Sequence, residues 1–457
     1  MKKIYLLLLL AAWLLAAFSC QEHFLDEKPD KALLVPTTLA DFQALLDNYN
    51  SLNRTVTLPE VSADDVYVPD AELRSQYKTL QNAYVWAADI YEGEDDLTGI
   101  DWTSLYAQLL RPNVVLDGLA ELVPSAAQQA EYDHVKGSAL FFRAYLHYSI
   151  AQAFAPAYDP ATAAQDLGIP LRLTSSVTQL VGRATVQQTY DRILQDLTEA
   201  LPLLPQEVPF ATRPSQVAVR AFLARVYLSM ADYAQAERYA HEALQEQGGL
   251  LDYNTLDLTK NFPRALPTVH QEILFYSVSL RFGLLESTSA LIAPELYAAY
   301  GPDDLRRSMF FQDRGSGRIT FKGSYDGTTT LFTGLATDEL YLIRAEGRAR
   351  RGDTAGALED LNYLLSHRWR SGTFTPLTAT SAQEALQLVL RERRRELLFR
   401  GLRWTDLRRL NREPAWAVTL TRTLDGQTYT LVPNSPRYVF PIPRTELDRN
   451  PMPQNPR

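Results

Sequence analysis

Small and apolar positions recur at helical spacing over much of the chain. In "RPSQVAVRAFLARVYLSMADYAQAERYAHEALQEQGG", Leu223, Ala224 and Tyr227 share one face. A break follows near Ala231 and Asp232, and Ala236, Ala240 and Ala243 form a second face, which predicts an antiparallel helix pair over 214–246. "TDELYLIRAEGRARRGDTAGALEDLNYLLSHR" repeats the pattern over 338–368, with Ala345 and Ala357 twelve apart, as Ala224 and Ala236 are. These are the spacings of a tetratricopeptide unit, in which small residues let two helices approach and aromatics fill the space between pairs.

A third pair is split. Residues 132–154 read as a first helix and 185–205 as its partner, joined by a connection of about thirty residues, long for a compact domain. Such a loop is either functional or a packed surface crossover. A last helix is predicted over 382–410, where Leu386, Leu390, Leu397, Gly401 and Trp404 form a stripe. Residues 250–335 and 411–457 have another texture, with Gly, Pro and Thr and short β-prone runs such as "EILFYSVSL" and "RYVFPIP". The tail "PIPRTELDRNPMPQNPR" holds five prolines and predicts no regular element. The expected fold is dominated by α-helix. Tetratricopeptide-like pairs form the scaffold, and a loop-rich face carries a few short strands.

The N-terminus breaks this texture. Lys2 and Lys3 precede an apolar run from Ile4 to Phe18, short for a membrane span and suited to a secretory signal over residues 1–19. Cys20, the only cysteine, follows directly; it can form no internal disulfide, and its position points to lipidation after cleavage. Residues 20–457 then form a single tethered domain.

Charge narrows the function further. The formal net charge of -9 gives no overall footprint for nucleic acid, so any basic site must be local. The stretch "RERRRELLFRGLRWTDLRRL", residues 391–410, is one, with eight arginines. Its apolar stripe runs through Arg393 and Arg394, which places arginine on a core-facing side where it needs partners. Glu392, Glu396 and Asp406 are the local ones, and the run reads as a structural ion-pair lattice rather than a nucleic-acid grip.

The six histidines show no metal-ligand spacing, and no nucleophile elbow, phosphate-binding Gly loop or dinucleotide fingerprint is present. No cofactor and no metal are expected. Paired acids at Asp64 and Asp65, Glu92 to Asp96, and Asp303 and Asp304 leave open a lipid-anchored glycoside hydrolase, although such acids more often cap helices or face solvent. A tetratricopeptide adaptor that binds only protein is the other alternative.

Several ordered stretches together resemble the SusD/RagB family of outer-membrane nutrient-binding lipoproteins. They are "FLDEKPDK" after the cysteine, "WTSLYAQLLRPNVVLDGL", "VKGSALFFRAYLHYSIAQAF", "LGIPL", the arginine-rich run, and "YVFPIPRTELDRNPMPQNP" near the end. Arg400 departs from the pattern, standing where many relatives carry an acid. The resemblance implies a non-catalytic surface protein, lipid-anchored in the outer membrane, that binds oligosaccharide or peptide. It implies a SusC-like TonB-dependent transporter as partner. The family builds its ligand face partly from the N-terminal third, which makes Asp65, Arg74, Tyr84 and Trp86 candidate contacts, followed by Tyr300, Tyr325 and Phe282 in the central loops. Packing between helices is the competing use of each aromatic. Trp102 and Trp404 fall in helical motifs and are expected in the core.

Overall fold

The helical periodicity resolves into ten helices of eight residues or more among the described residues, which in this computed structural model are 36–260, 271–323, 325 and 327–457. They are α1 (Leu39–Leu46), α2 (Ile100–Ala120), α3 (Gln129–Phe154), α4 (Val186–Ala200), α5 (Gln216–Ser229), α6 (Tyr233–Glu246), α7 (Thr337–Arg350), α8 (Thr354–Ser366), α9 (Ala382–Glu396) and α10 (Arg403–Leu410). The signal segment, Cys20 and "FLDEKPDK" lie outside the described residues. Among those described, no helix is long and apolar enough to cross a membrane.

Local chemistry starts these helices where the pattern predicts. Thr38 and Thr185 close capping boxes with Asp41 and Gln188, while Ser215, Asp232, Asp353 and Ser381 each accept a backbone N–H of the first turn. Each helix then packs on the next, α2 on α3, α3 on α4, α5 on α6, α6 on α7 and α7 on α8, with α9 laid across α7 and α8. Small residues set the spacing. Ala224, Ala236, Ala345 and Ala357 are fully buried, and a Cβ at Gly347 would come within 2.6 Å of the Glu237 Cβ.

Helix α3 is buried on nearly every side from Val135 to Phe154, as expected of the central element. Phe141 and Tyr145 stack within it and meet Phe222 of α5 and Phe275 edge-on or tilted. The connection from α3 to α4 is a packed crossover. Its Leu167–Pro170 strand pairs antiparallel with Arg183–Thr185 against both helices.

The loop-rich face is stitched to the N-terminal segment by two-stranded ladders. Arg54–Thr55 pairs parallel with Val278–Ser279, and Val66–Tyr67 antiparallel with Leu291–Ile292. A hairpin, Leu420–Leu424 with Gln427–Leu431, turns at Asp425 and Gly426, both at positive φ.

Three expectations need correction. The helix predicted over 382–410 is two helices, because Phe399 (φ 57°) and Gly401 (φ 71°) are left-handed and turn Arg400 into the core. "RYVFPIP" forms no strand, since its prolines remove ladder donors; its first two residues end a 3₁₀ turn, Pro436–Tyr438. The tail holds one short helix, Arg444–Arg449.

The arginine-rich run is an ion-pair lattice. Six of its eight arginines meet carboxylates: Arg393 and Arg409 share Asp406, Arg409 also holds Glu346, Arg394 and Arg403 hold Asp64, Arg395 holds Glu392, and Arg400 holds Asp338. Deeper still, fully buried Arg306 reaches Asp304 (2.7 Å), Glu392 (2.9 Å) and Glu396 (3.1 Å), and Arg368 reaches Glu396 (2.7 Å) and Glu272 (2.6 Å). A buried arginine stripped of a partner is an uncompensated charge.

Glu396→Gln is therefore expected to cost about 3 kcal/mol in urea unfolding; a loss below about 1 kcal/mol would show that the junction carries no structural weight. The acid limb supplies a second check. Burial opposes ionisation of Glu346, yet the Arg409 and Arg350 guanidiniums hold its pKa down to about 2 from 4.5. Its contribution is complete above pH 4.5 and is lost as pH falls towards 2, because only the unfolded chain takes up the proton in that window. The stability gap between wild type and Glu346→Gln should shrink over that interval; a constant gap would refute the assignment.

Candidate functional site

Where the loop-rich face meets the N-terminal segment, a cleft of about 670 Å³ opens between Val66–Asp70, Ala293–Glu295 and the first strand of the hairpin. The two-residue ladder at Val66–Tyr67 sets its geometry. Strand alternation turns Val66 and Val68 inward and Tyr67 outward, leaving Tyr67 36% exposed on the cleft wall. Asp70 and exposed Glu295 add carboxylates, while Thr419, Thr421 and Thr423 present hydroxyls on the exposed side of the opposite wall.

Tyr84 and Trp86 line the floor, but as structure. Trp86 ends the short Lys78–Tyr84 helix in a left-handed conformation (φ 55°), with its N–H bonded to the Ala83 carbonyl and that of Ala87 to Asn82. This Schellman turn drives the indole inward, where Nε1 donates to the Ser62 carbonyl at 2.9 Å. At 1% exposure Trp86 offers no ring face to a ligand. The Tyr84 hydroxyl accepts from the Val68 amide at 3.0 Å. The Arg422 guanidinium lies over both rings, 3.7 Å from the Tyr84 centroid and 4.8 Å from that of Trp86, and donates to the carbonyls of Val61, Ala63 and Tyr84.

Charges behind the floor are tightly coupled. Asp64 takes both nitrogens of an Arg403 fork (2.7 and 2.9 Å), and Arg394 joins Asp64 to Asp65. Burial opposes the Asp64 charge, but the two guanidiniums hold its carboxyl well below the usual range. Asp65 is pushed up by burial and by the neighbouring Asp64 charge, against Arg394. Glu60, behind them, has no hydrogen bond of good geometry to either oxygen among the described residues, and burial with the Asp65 charge raises its pKa to about 8 against the pull of the Gly401 amide.

The sequence-predicted residues divide accordingly. Tyr84 and Trp86 reach the cleft, Asp65 stands behind it on Arg394, and Arg74 sits at its edge, where it pairs with Asp425 while Asp70 accepts the Asp425 amide at 2.9 Å. The hairpin tip is thereby latched over the Asp70–Arg74 helix. Tyr300 and Tyr325 do not line the cleft, and both are buried. Tyr300 donates to the Arg395 carbonyl at 2.8 Å and Tyr325 to Asp338, with Arg400 over the Tyr325 ring. Phe282 is buried as well. The rings of Trp86, Tyr300 and Tyr325 are thus taken up in packing. Sequence reasoning missed Tyr67, although the apolar–aromatic alternation of "VYV" carries the signal. The acidic loops are used internally: Asp95 caps Thr79, Asp303 pairs with Arg370 and Asp304 with Arg306.

Fold and site together are a helical-repeat scaffold that carries a loop-built cleft lined by hydroxyls and carboxylates. One family model, described as "Starch-binding associating with outer membrane", matches residues 23–228, and a second, the SusD family, matches 337–457, together more than half of the chain. The chain belongs to the SusD family. Solved structures agree in fold. A SusD superfamily protein from Bacteroides thetaiotaomicron VPI-5482 aligns with TM-score 0.74 at 20% identity over 92% of this chain and 100% of its own. A SusD-like carbohydrate binding protein from Bacteroides vulgatus ATCC 8482 aligns with TM-score 0.71 at 21% identity, over 91% and 97%. A laminarin binding SusD-like protein aligns with TM-score 0.64 at 17% identity, over 92% and 99%. No curated protein matches in sequence.

Glu60 supplies a test of the floor. The folded state keeps a proton on Glu60 that the unfolded chain releases near pH 4.5, so this group lowers stability as pH rises from 4.5 to about 8. Glu60→Gln should raise the melting temperature more at pH 8 than at pH 5, and an equal change at both would refute a buried carboxyl with a raised pKa.

Proposed function

We propose that the protein is a non-catalytic cell-surface lipoprotein, anchored through Cys20 in the outer membrane. It captures an oligosaccharide in the cleft beside Tyr67 and passes it to a SusC-like TonB-dependent transporter. The carrying observation is the exposed Tyr67 ring in a cleft rimmed by Asp70, Glu295 and three threonines. A pyranose needs that combination: an aromatic face for its C–H surface and polar groups for its hydroxyls. Family membership supports the glycan, the outer membrane and the transporter. Against hydrolysis, Asp64 and Asp65 are tied to Arg394 and Arg403, and Asp304 to Arg306, so none stands free as acid or base.

Affinity electrophoresis through gels containing laminarin, starch or other glycans tests the reading. One glycan should retard the wild type, and Tyr67→Ala should weaken that binding about tenfold at unchanged stability. Release of shortened sugar would overturn the non-catalytic reading. Retention by Tyr67→Ala equal to wild type would overturn the site, and capture of peptides with no glycan retained would overturn the ligand class.

A further inference from the structure

Two carboxylates in the cleft beside Tyr67, those of Asp70 and Glu295, have no counter-charge among the described residues. The ladder fixes where they stand. The Ala293 amide donates to the Asp65 carbonyl at 3.0 Å, which carries the pairing of Val66–Tyr67 with Leu291–Ile292 one step further and sets Glu295 beyond its Asp65 end. Asp70 follows Tyr67 by three residues and stands beyond the other end, so the two acids bracket the exposed ring. Glu295 is exposed, and one oxygen of Asp70 accepts the Asp425 amide while the other is left over. Both acids stand in the first turn of a short helix, Asp70–Arg74 or Pro294–Ala298, which favours negative charge there. The cations of the lining are spent elsewhere. Arg394 lies between Asp64 and Asp65, and buried Arg422 is turned to three carbonyls and two rings. At the edge, Arg74 pairs with Asp425.

Resting on the reading that this cleft holds an oligosaccharide, we infer that the sugar is an amino sugar, with its protonated amines set against Glu295 and Asp70. A carboxylate only accepts hydrogen bonds, and a ligand that covers one removes water that only a donor can replace. A neutral sugar hydroxyl restores a hydrogen bond but leaves the charge. An ammonium supplies three donors and neutralises it through charge-assisted bonds. Tyr67, between the two acids, takes the C–H face of a sugar unit, and the exposed Thr421 and Thr423 hydroxyls meet the uncharged ones. The same arrangement sets what the cleft refuses. A uronate would bring its carboxylate against two others, where both lining guanidiniums are already engaged. A lysine-rich peptide shares the ammonium chemistry but carries no hydroxyls for the threonine wall, which favours the sugar.

Isothermal titration of the full chain with glucosamine oligomers (chitosan fragments) and with glucose oligomers of the same linkage (cello-oligosaccharides) tests the inference, at a pH that keeps the amine protonated. The two ligands differ only in amine against hydroxyl, so the ratio of their affinities isolates the charge. Glucosamine oligomers should bind about tenfold tighter, and the ratio should fall towards one in high salt. Glu295→Gln and Asp70→Asn, which keep shape and an acceptor, should each narrow the ratio about threefold, and together they should abolish it. Tyr67→Ala should weaken both oligomers alike. No binding of glucosamine oligomers, tighter binding of oligogalacturonate, or a ratio untouched by both substitutions would each overturn the inference, as would oligolysine bound more tightly and weakened by Tyr67→Ala. Equal affinity for the two oligomers, both weakened by Tyr67→Ala, would overturn the amino sugar and leave the oligosaccharide cleft standing. Binding of both oligomers unchanged in Tyr67→Ala would overturn the cleft itself.

Discussion

The carboxylate of Glu396 holds two fully buried arginines at once, and the architecture depends on that junction. Arg306 comes from the loop-rich face, Arg368 follows the end of α8, and Glu396 ends α9. Three parts of the chain that share little secondary structure are therefore fixed by one acid and its neighbours Asp304, Glu392 and Glu272. Desolvating so many charges offsets much of the Coulomb energy they return. What the lattice supplies is direction: a guanidinium fork accepts a carboxylate in few geometries, so α9 has one register against the repeats.

Other arginines work without acids. Arg408 caps the last carbonyls of α3, and Arg422 does the same for the short helices at Leu58–Ser62 and Lys78–Tyr84. Both sit at the negative ends of helix dipoles, which compensate the charge in place of a carboxylate. Each also lines a cleft. The two concave surfaces share a construction: a helix ends, an arginine gathers its carbonyls, and the backbone beyond turns away to leave space.

How legible this was in sequence follows from where the information is local. The pairs at 214–246 and 338–368 were readable because burial repeats with the helical period and capping residues stand at their starts. The break after Glu396 was not, because it depends on Arg400 turning towards Asp338, a partner 62 residues away. Family resemblance pointed to a segment that lines the cleft, but the rings it singled out there are buried. Trp86 stands out by size, yet a Schellman turn invisible in composition points it at Ser62. Tyr67, less conspicuous, faces outward because a strand of only two residues leaves one side chain on each face.

The end of α3 closes in a particular way. Besides the two carbonyls held by Arg408, that of Ala153 accepts from the Phe440 amide and that of Phe154 from Asn455, 301 residues further along the chain. The most deeply buried helix thus cannot satisfy its own terminus until the last few residues are available. Folding cannot finish from the N-terminus onwards as synthesis proceeds; the central helix remains open-ended until the final turn of chain is delivered to it.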